Sequence, residues 1–596
     1  MNCKGRKECP ETLGFPSVLI ITKFDMGKYI IKFFGLFLIT SILFSCEEKP
    51  ESVGSQPEPE EELKITEFVV KAPSGGISGD IDQSNKTISV SVPSDLNIKK
   101  VLIDVSYTEG AVLKPESGYE YNFSSPVTFK LTKGAKTVSY VVTLGVKPEI
   151  LAFDLSEYHI KGKVGKDDVT LSLPYGADIT AVAPSVIVPS GCIVSPASGE
   201  IVNLEQVKSY KVTNLAGVVK EYKIEINYLP QEKQIRGVWV PDPTHTDVLR
   251  SYDKLKNFVS LLDELNMNAI YLATWVREQT LFKSNVLLEN TNYKTLEDGW
   301  LLKGSTYKGL TDDPISDLIA LAHEKGIKVF FWFEYGFMRS GNASTQTSSH
   351  PILSVHPEWD GVNSYGTPAN YNNTDFYMNS YDPEVQNFII GLIKESISLY
   401  PEVDGVQGDD RLPAAPRNSG YNASTKALYM AETGKDVPDN YQDKEWVSWR
   451  LSKLNDFGKR LYSEVKALDN SLLVSFSPNP YPWCEQNLMQ DWPSWIKGGY
   501  VDFLSVQCYR DTEAAYRATL NEVMGYVKAN TDKNICNPGI YLRSGSDWAN
   551  IFTAQMLYNR EKGTNGEAFF FNNGLTLDVN KKVIKSFYTG KAVFPF

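Results

Sequence analysis

Three acidic positions, each at the end of a short apolar run, are the best placed in this chain for proton transfer. VDGVQGDD from Val403 ends in Asp409 and Asp410 with Arg411 next, and KVFFWFEY from Lys328 ends in Glu334 and Tyr335. FLSVQCY from Phe503 leads to Tyr509, Arg510 and Asp511, while IRGVWV from Ile235 and AIYLATW from Ala269 deliver Trp239, Asp242, Trp275 and Arg277. Carboxylates crowded into a partly desolvated cleft repel, so one keeps its proton near neutrality while another stays ionised. That division supplies the acid and the base or nucleophile that cleavage of a glycosidic bond requires. Asp409, Asp410 and Glu334 are therefore the candidate catalytic residues. Trp239, Trp275, Arg277, Tyr335, Arg411, Tyr509 and Asp511 are candidate substrate contacts. The structural alternative is that either Asp caps the following loop or pairs with Arg411, and that Glu334 forms a salt bridge to Arg411 or Arg277. Adjacent strand residues point to opposite faces, so both Asp can reach one cleft only if the strand has ended before them.

Other reactive types carry less. Trp483, Trp492 and Trp495 fall in or near the segment after SFSP, where sugar stacking and loop packing are both open readings. His350 and His356 each lie beside Pro and favour a turn over a metal pair, which would need further ligands. Ser475 and Ser477 lack a nearby His and a G-x-S-x-G elbow, which disfavours esterase chemistry. Cys192, Cys484, Cys508 and Cys536 show no CxxC pair, so no metal site is expected. They read as buried small hydrophobes, with one disulfide among the last three left open. No cofactor is called for.

The elements that must hold these residues alternate. Eight apolar runs, IRGVWV, AIYLATW, KVFFWFEY, VDGVQGDD, LLVSFSP, FLSVQCY, NPGIYL and EAFFFNN, are separated by amphipathic stretches such as LKNFVSLLDELNM, DLIALAHEKGI, VQNFIIGLIKESISLY and LSKLNDFGKRLYSEVKAL. Strands apolar on both faces and separated by helices imply a parallel sheet, and eight units fit a (β/α)₈ TIM barrel with its site at the C-terminal strand ends. A doubly wound open sheet is the alternative, weakened by the absence of GxGxxG after the first strand.

Upstream the rhythm is different. TISVSVPSDLNIKKVLIDVSYTEGAVLKPESG from Thr87 aligns with VTLSLPYGADITAVAPSVIVPSGCIVSPASG from Val169, and both show period-two alternation broken by Gly, Pro, Ser and Asp. Two all-β, Ig-like sandwich modules follow, either as spacers or as carbohydrate binders. Further upstream, Lys28 and Lys32 precede an apolar run from Phe33 to Phe44 and then Leu43-Phe44-Ser45-Cys46, too short to span a bilayer comfortably. It is similar to a bacterial lipoprotein signal with Cys46 as the lipidated residue and with Met26 as a possible start; an uncut anchor is the alternative. EEKPESVGSQPEPEEE after Cys46 is too polar to fold and reads as a tether, similar to a surface-export signal of Bacteroidetes-type lipoproteins. The expected partition is a leader and signal peptide (1–45), a tether (46–63), two sandwich modules (64–147 and 148–230) and a barrel (231–596). The chain is then anchored through Cys46 to the outer membrane or cell surface. With 596 residues a single module is ruled out, and a net charge of -12 opposes binding to nucleic acid.

From RGVWV at Arg236 to the eighth apolar run, the chain resembles glycosyl hydrolase-like family 10. The resemblance is carried by NAIYLATWVREQTLFKS, AHEKGIKVFFWFEY, HPEW, DPEVQ, DGVQGDDRLP, SFSPNP and QDWPSWIKGGYVDFLSVQCY. It implies a barrel acting on bacterial glycans, with the Asp pair, Arg277, Gln507 and Tyr509 at family positions and Gln507 as a further substrate contact. Where the family has His-Phe before the Asp pair this chain has Gln407-Gly408, where it has Tyr after the pair there is Arg411, and where it has Asn after the third strand there is Glu334. Arg411 and Glu334 point to a different substrate. Trp483 completes the expected substrate contacts. A rival expectation is a non-catalytic glycan-binding surface lipoprotein.

Overall fold

The computed structural model describes residues 62–341, 350–545 and 547–596. Cys46, the apolar run before it and nearly all of the acidic stretch after it lie outside the described residues. Among the described residues no helix is long and apolar enough to cross a membrane.

The N-terminal region is β-rich. In Thr87–Val92 every second side chain is buried, and Ile88, Val90 and Val92 join Phe68, Ile103, Phe129 and Val142 in a core running from Leu63 to Val146. Thr87–Val92 pairs in parallel with Val141–Val146, whereas the neighbouring Val127–Lys133 is antiparallel to Lys136–Val146. The second half repeats this arrangement. Asp168–Leu173 runs parallel to Lys223–Tyr228, and a separate core extends from Ile150 to Ile224. The sequence repeat is thus a repeat of pairing pattern as well.

Eight strands form the C-terminal sheet: β1 (Ile235–Val240), β2 (Ala269–Ala273), β3 (Lys328–Phe333), β4 (Gly405–Gly408), β5 (Leu473–Phe476), β6 (Phe503–Leu504), β7 (Gly539–Tyr541) and β8 (Gly566–Phe570). The order is β6-β5-β4-β3-β2-β1-β8-β7, with every ladder parallel. The sheet curls until its end strands meet. Parallel bridges link Leu504 to Cys536 and Gln507 to Gly539, and the Gly539 N–H donates to the Val506 carbonyl at 2.7 Å. All of β1 and β2 is buried, the pattern of strands covered on both faces. Helices α1 (Tyr252–Glu264), α2 (Pro314–Glu324), α3 (Pro383–Leu399) and α4 (Lys444–Leu468) follow β1 to β4. Each starts at a Ser or Asp cap, and Pro at the first position of α2 and α3 fits because that N–H has no helical partner.

Two glycines let the strands approach. A Cβ on Gly566, which has φ +86°, would meet the Ile235 carbonyl oxygen at 1.9 Å, and one on Gly405 would meet that of Leu473 at 2.1 Å. Gly566→Ala should therefore cost on the order of 3 kcal/mol or more, because it combines a positive φ with a collision against β1 backbone. Urea unfolding measures this; an unchanged midpoint would mean that β1 and β8 do not meet there.

The second β-rich half also contacts this sheet region. His159 Nε2 lies 2.9 Å from Ser586 Oγ and its ring stacks on Phe587 at 4.6 Å, while Thr589 Oγ1 donates to the Tyr175 carbonyl at 2.8 Å.

Candidate functional site

Strand register decides what shares the rim. Val240 pairs with Leu272, Ala273 with Trp332, Phe333 with Gly408 and Gly408 with Phe476, so Asp242, Glu334, Asp409 and Asp410 all leave the sheet at the C-terminal ends of their strands. β4 ends at Gly408, and the Leu412 N–H returns to the Asp409 carbonyl at 3.1 Å. The Asp pair therefore sits in a turn, where strand alternation no longer separates the two side chains.

One guanidinium joins both. Arg411 Nη1 lies 2.7 Å from Asp409 Oδ2 and 2.8 Å from Asp410 Oδ1, and donates to the Glu334 carbonyl at 3.3 Å. Asp409 is fully buried, and its second oxygen accepts the Arg411 backbone N–H at 2.6 Å. Asp410 Oδ2 instead accepts from Asn479 Nδ2 at 2.8 Å. Burial pushes the Asp409 carboxyl well above the usual range and the adjoining Asp410 charge adds to that, against the pull of Arg411. Burial acts on Asp410 too, but Arg411 and hydrogen bonds from Asp409, Asn479 and Gln507 outweigh it and hold Asp410 below its ordinary value. The two carboxyls are thus pushed in opposite directions and titrate as a coupled pair, Asp410 the more acidic member.

Glu334 follows β3 on the same rim. Its Oε2 is buried without a hydrogen-bond partner. Burial raises its carboxyl to about 8; the charges of Asp242 and Asp410 add to the rise, and those of Arg411 and Arg277 oppose it. Arg411 meets the main chain of Glu334 in place of its carboxylate. Tyr335 lies half-buried beneath two cations, with Arg277 4.7 Å and Arg411 5.3 Å from its ring centre.

The remaining expected contacts divide. Tyr509 is half-buried against Phe570 at 5.4 Å and Tyr541 at 5.9 Å, and burial, then the charges of Asp410 and Asp409, push its hydroxyl well above the ordinary value. Gln507 donates to the Ser477 carbonyl at 2.9 Å and also bonds Asp410. Trp483 is 39% exposed and stands edge-on to Tyr371 at 5.8 Å, an open aromatic surface. Asp511 is an exposed rim residue paired with Arg543.

Two tryptophans are corrected. Trp239 is buried within the sheet's interior, its indole N–H donating to Gln407 Oε1 at 2.8 Å, so it forms the floor. Trp275 is also buried and donates to the Gly336 carbonyl at 2.8 Å; it braces the turn after β3 and offers no face to a ligand. The stacking reading of Trp492 and Trp495 fails likewise, since both are buried and bond Asn479 and Asn455. His350 is buried in a charge cluster, His356 stacks on Trp359 at 4.0 Å, and the four described cysteines are free thiols.

Sequence reasoning gave no role to Asn479, although it lies in SFSPNP, or to Asp242, which is buried and bonds His245 Nδ1 at 2.8 Å. Asp242 had the strand-end signal; Asn479 had only its place in the motif.

Comparison with known proteins gives a consistent picture of the family. The profile described as Glycosyl hydrolase-like 10 matches residues 234–551, and that described as SGBP, N-terminal, matches residues 65–144 and 150–226. Among curated proteins, Glycosyl hydrolase DigH of Escherichia coli strain K12 is 22% identical over 222 residues, which is 33% of this chain and 46% of the relative; the protein of that name in Shigella flexneri matches equally. The chain thus spans about half the length of these curated relatives. Among solved structures, the PgaB (BpsB) glycoside hydrolase domain from Bordetella bronchiseptica is 14% identical with a TM-score of 0.41, covering 60% of this chain and 98% of that one. The cold-adapted beta-galactosidase from Rahnella sp. R3 is 13% identical with a TM-score of 0.40, covering 60% and 56%.

Proposed function

The chain belongs to the Glycosyl hydrolase-like 10 family, and from that membership and the rim geometry we propose that it hydrolyses a glycosidic bond in a complex polysaccharide. The observation that carries this reading is the gathering of Glu334, Asp409 and Asp410 around Arg411 on one rim, where burial raises Glu334 to about 8 and Arg411 and hydrogen bonds hold Asp410 below its ordinary value. Glu334 holds its proton at neutral pH and donates it to the departing glycosidic oxygen. Asp410 keeps its charge and faces the anomeric carbon, as nucleophile or as the base that takes a proton from water. Asp409, enclosed by Arg411, acts by positioning Arg411 and does not itself touch the sugar. Tyr509, Gln507, Tyr335 and Trp483 supply the ring faces and amide groups a sugar chain needs.

The curled sheet is read as a closed (β/α)₈ barrel carried on two Ig-like sandwich modules. Lipidation of Cys46 and a place on the outer membrane or cell surface belong to the same proposal, supported by the match of the β-rich halves to SGBP, N-terminal. That match also favours a second reading, a glycan-binding surface lipoprotein without turnover, and the grip of Arg411 on both Asp side chains is compatible with it.

Incubating the purified chain with a panel of bacterial and plant polysaccharides, and following new reducing ends, separates the two readings. Release of product from at least one glycan is expected. Tight binding with no release from any of them would leave the second reading standing.

A further inference from the structure

Beside the acid cluster the backbone takes a costly path. Trp275–Val276 and Gln279–Thr280 form a two-stranded hairpin, with Trp275 opposite Thr280 and Val276 opposite Gln279. Its two turn residues, Arg277 and Glu278, have φ of 43° and 70°. Such turns favour Asn and Gly, and each side chain held in the left-handed region costs about 1–2 kcal/mol. Strain of this kind persists only where the surroundings over-determine it.

Here the surroundings are a buried polar cluster. The Glu278 carboxylate is fully buried; Oε1 lies 2.8 Å from His350 Nδ1 and Oε2 accepts from Ser340 Oγ. The Glu278 carbonyl accepts from the Tyr293 hydroxyl at 3.2 Å. His350 Nε2 faces Arg339 Nη1 at 3.4 Å, and Arg339 in turn pairs with Asp360 at 2.7 Å. With Arg339 donating to Nε2, the imidazole carries its proton on Nδ1 and donates it to Glu278. Arg277, the other turn residue, is exposed and lies over Tyr335, next to Glu334.

We propose that Glu278, anchored by His350 and Ser340, is a positioning residue that holds the guanidinium of Arg277 over Tyr335 at the edge of the acid cluster. The role of that cluster in catalysis rests on the function proposed above; the clamp itself does not. Arg277 is one of two cations opposing the rise of Glu334. The groups around Glu334 are Asp242 after β1, Arg277 after β2, Tyr335 after β3, Asp409, Asp410 and Arg411 after β4, and Tyr509 after β6. If the clamp opens, Arg277 leaves this set and Glu334 holds its proton to higher pH.

Glu278→Gly tests the anchor separately from the strain, because glycine accepts the positive φ and lacks the carboxylate. The basic limb of the rate profile should move up by about 0.5 to 1 pH unit, as in Arg277→Ala, and the double variant should move no further. A readout without substrate is the pH at which unfolding free energy stops falling, which should shift by the same amount in the full chain. A Glu278→Gly protein in which both the rate limb and the pH at which unfolding free energy stops falling keep their wild-type values overturns the proposal, as does a loss of activity equal at all pH with that pH unmoved. Should circular dichroism show Glu278→Gly unfolded, Ser340→Ala must give a smaller shift in the same direction, and no shift there overturns the clamp. If no glycan is ever turned over, the pH at which unfolding free energy stops falling still decides it.

Discussion

Asp410→Asn is expected to lower turnover by roughly 10²- to 10⁴-fold while glycan affinity stays within about tenfold. The amide keeps the size of the carboxyl but cannot carry the charge that the proposed reaction requires of Asp410. Both Asp410 oxygens already accept, one from Arg411 and one from Asn479. The new NH₂ must therefore face one of these donors, which should also cost about 1–3 kcal/mol of stability. Reducing-end release measures the first effect and calorimetric titration of the intact glycan the second. A variant that retains a tenth or more of the wild-type rate would remove Asp410 from the reaction.

Glu334→Gln should have a comparable effect on rate and an opposite one on stability at high pH. General-acid donation is lost, so turnover should fall by about 10² or more below pH 8, where the wild-type residue is protonated. The wild-type rate should itself decline above about pH 8, as Glu334 ionises. For folding, the carboxyl titrates near 4.5 when free and near 8 in place, so the native state binds the proton more tightly. Stability is then fully present below about 4.5 and is lost as pH rises through 8, by an amount on the order of a few kcal/mol. The Gln side chain has no such titration. The variant should match the wild type near pH 4.5 and exceed it at pH 9, and parallel curves across that range would place the glutamate in a solvated setting.

Much of this architecture was legible because strands covered on both faces must be apolar throughout. IRGVWV and AIYLATW announce β1 and β2 for that reason. FLSVQCY was less faithful: regular pairing covers only Phe503–Leu504, and contact with β7 continues through single bridges. The parallel pair within each β-rich half was not legible, since alternation reports which face is buried and says nothing of strand direction. At the rim, carboxylates at strand ends were found by position. Trp239 and Trp275 were misassigned because the same ring serves a floor and a cleft equally well, and only the partner of the indole N–H tells them apart. Glu278 went unnoticed because its partner His350 is 72 residues away in the chain.

The contact between His159 and the Ser586–Phe587 pair limits how this chain can be shortened. Gly176 is close enough to Gly590 that an added methyl would come within 2.9 Å of its Cα, so the two backbones are in direct contact. Cutting before Gln231 to obtain the C-terminal half alone would strip Phe587 of the imidazole covering its ring and bare an apolar face at the end of a helix whose Val583 and Ile584 stay buried. A shortened protein intended for crystallisation or large-scale preparation would be better served by starting at Ile150, or by replacing Phe587 with a polar residue.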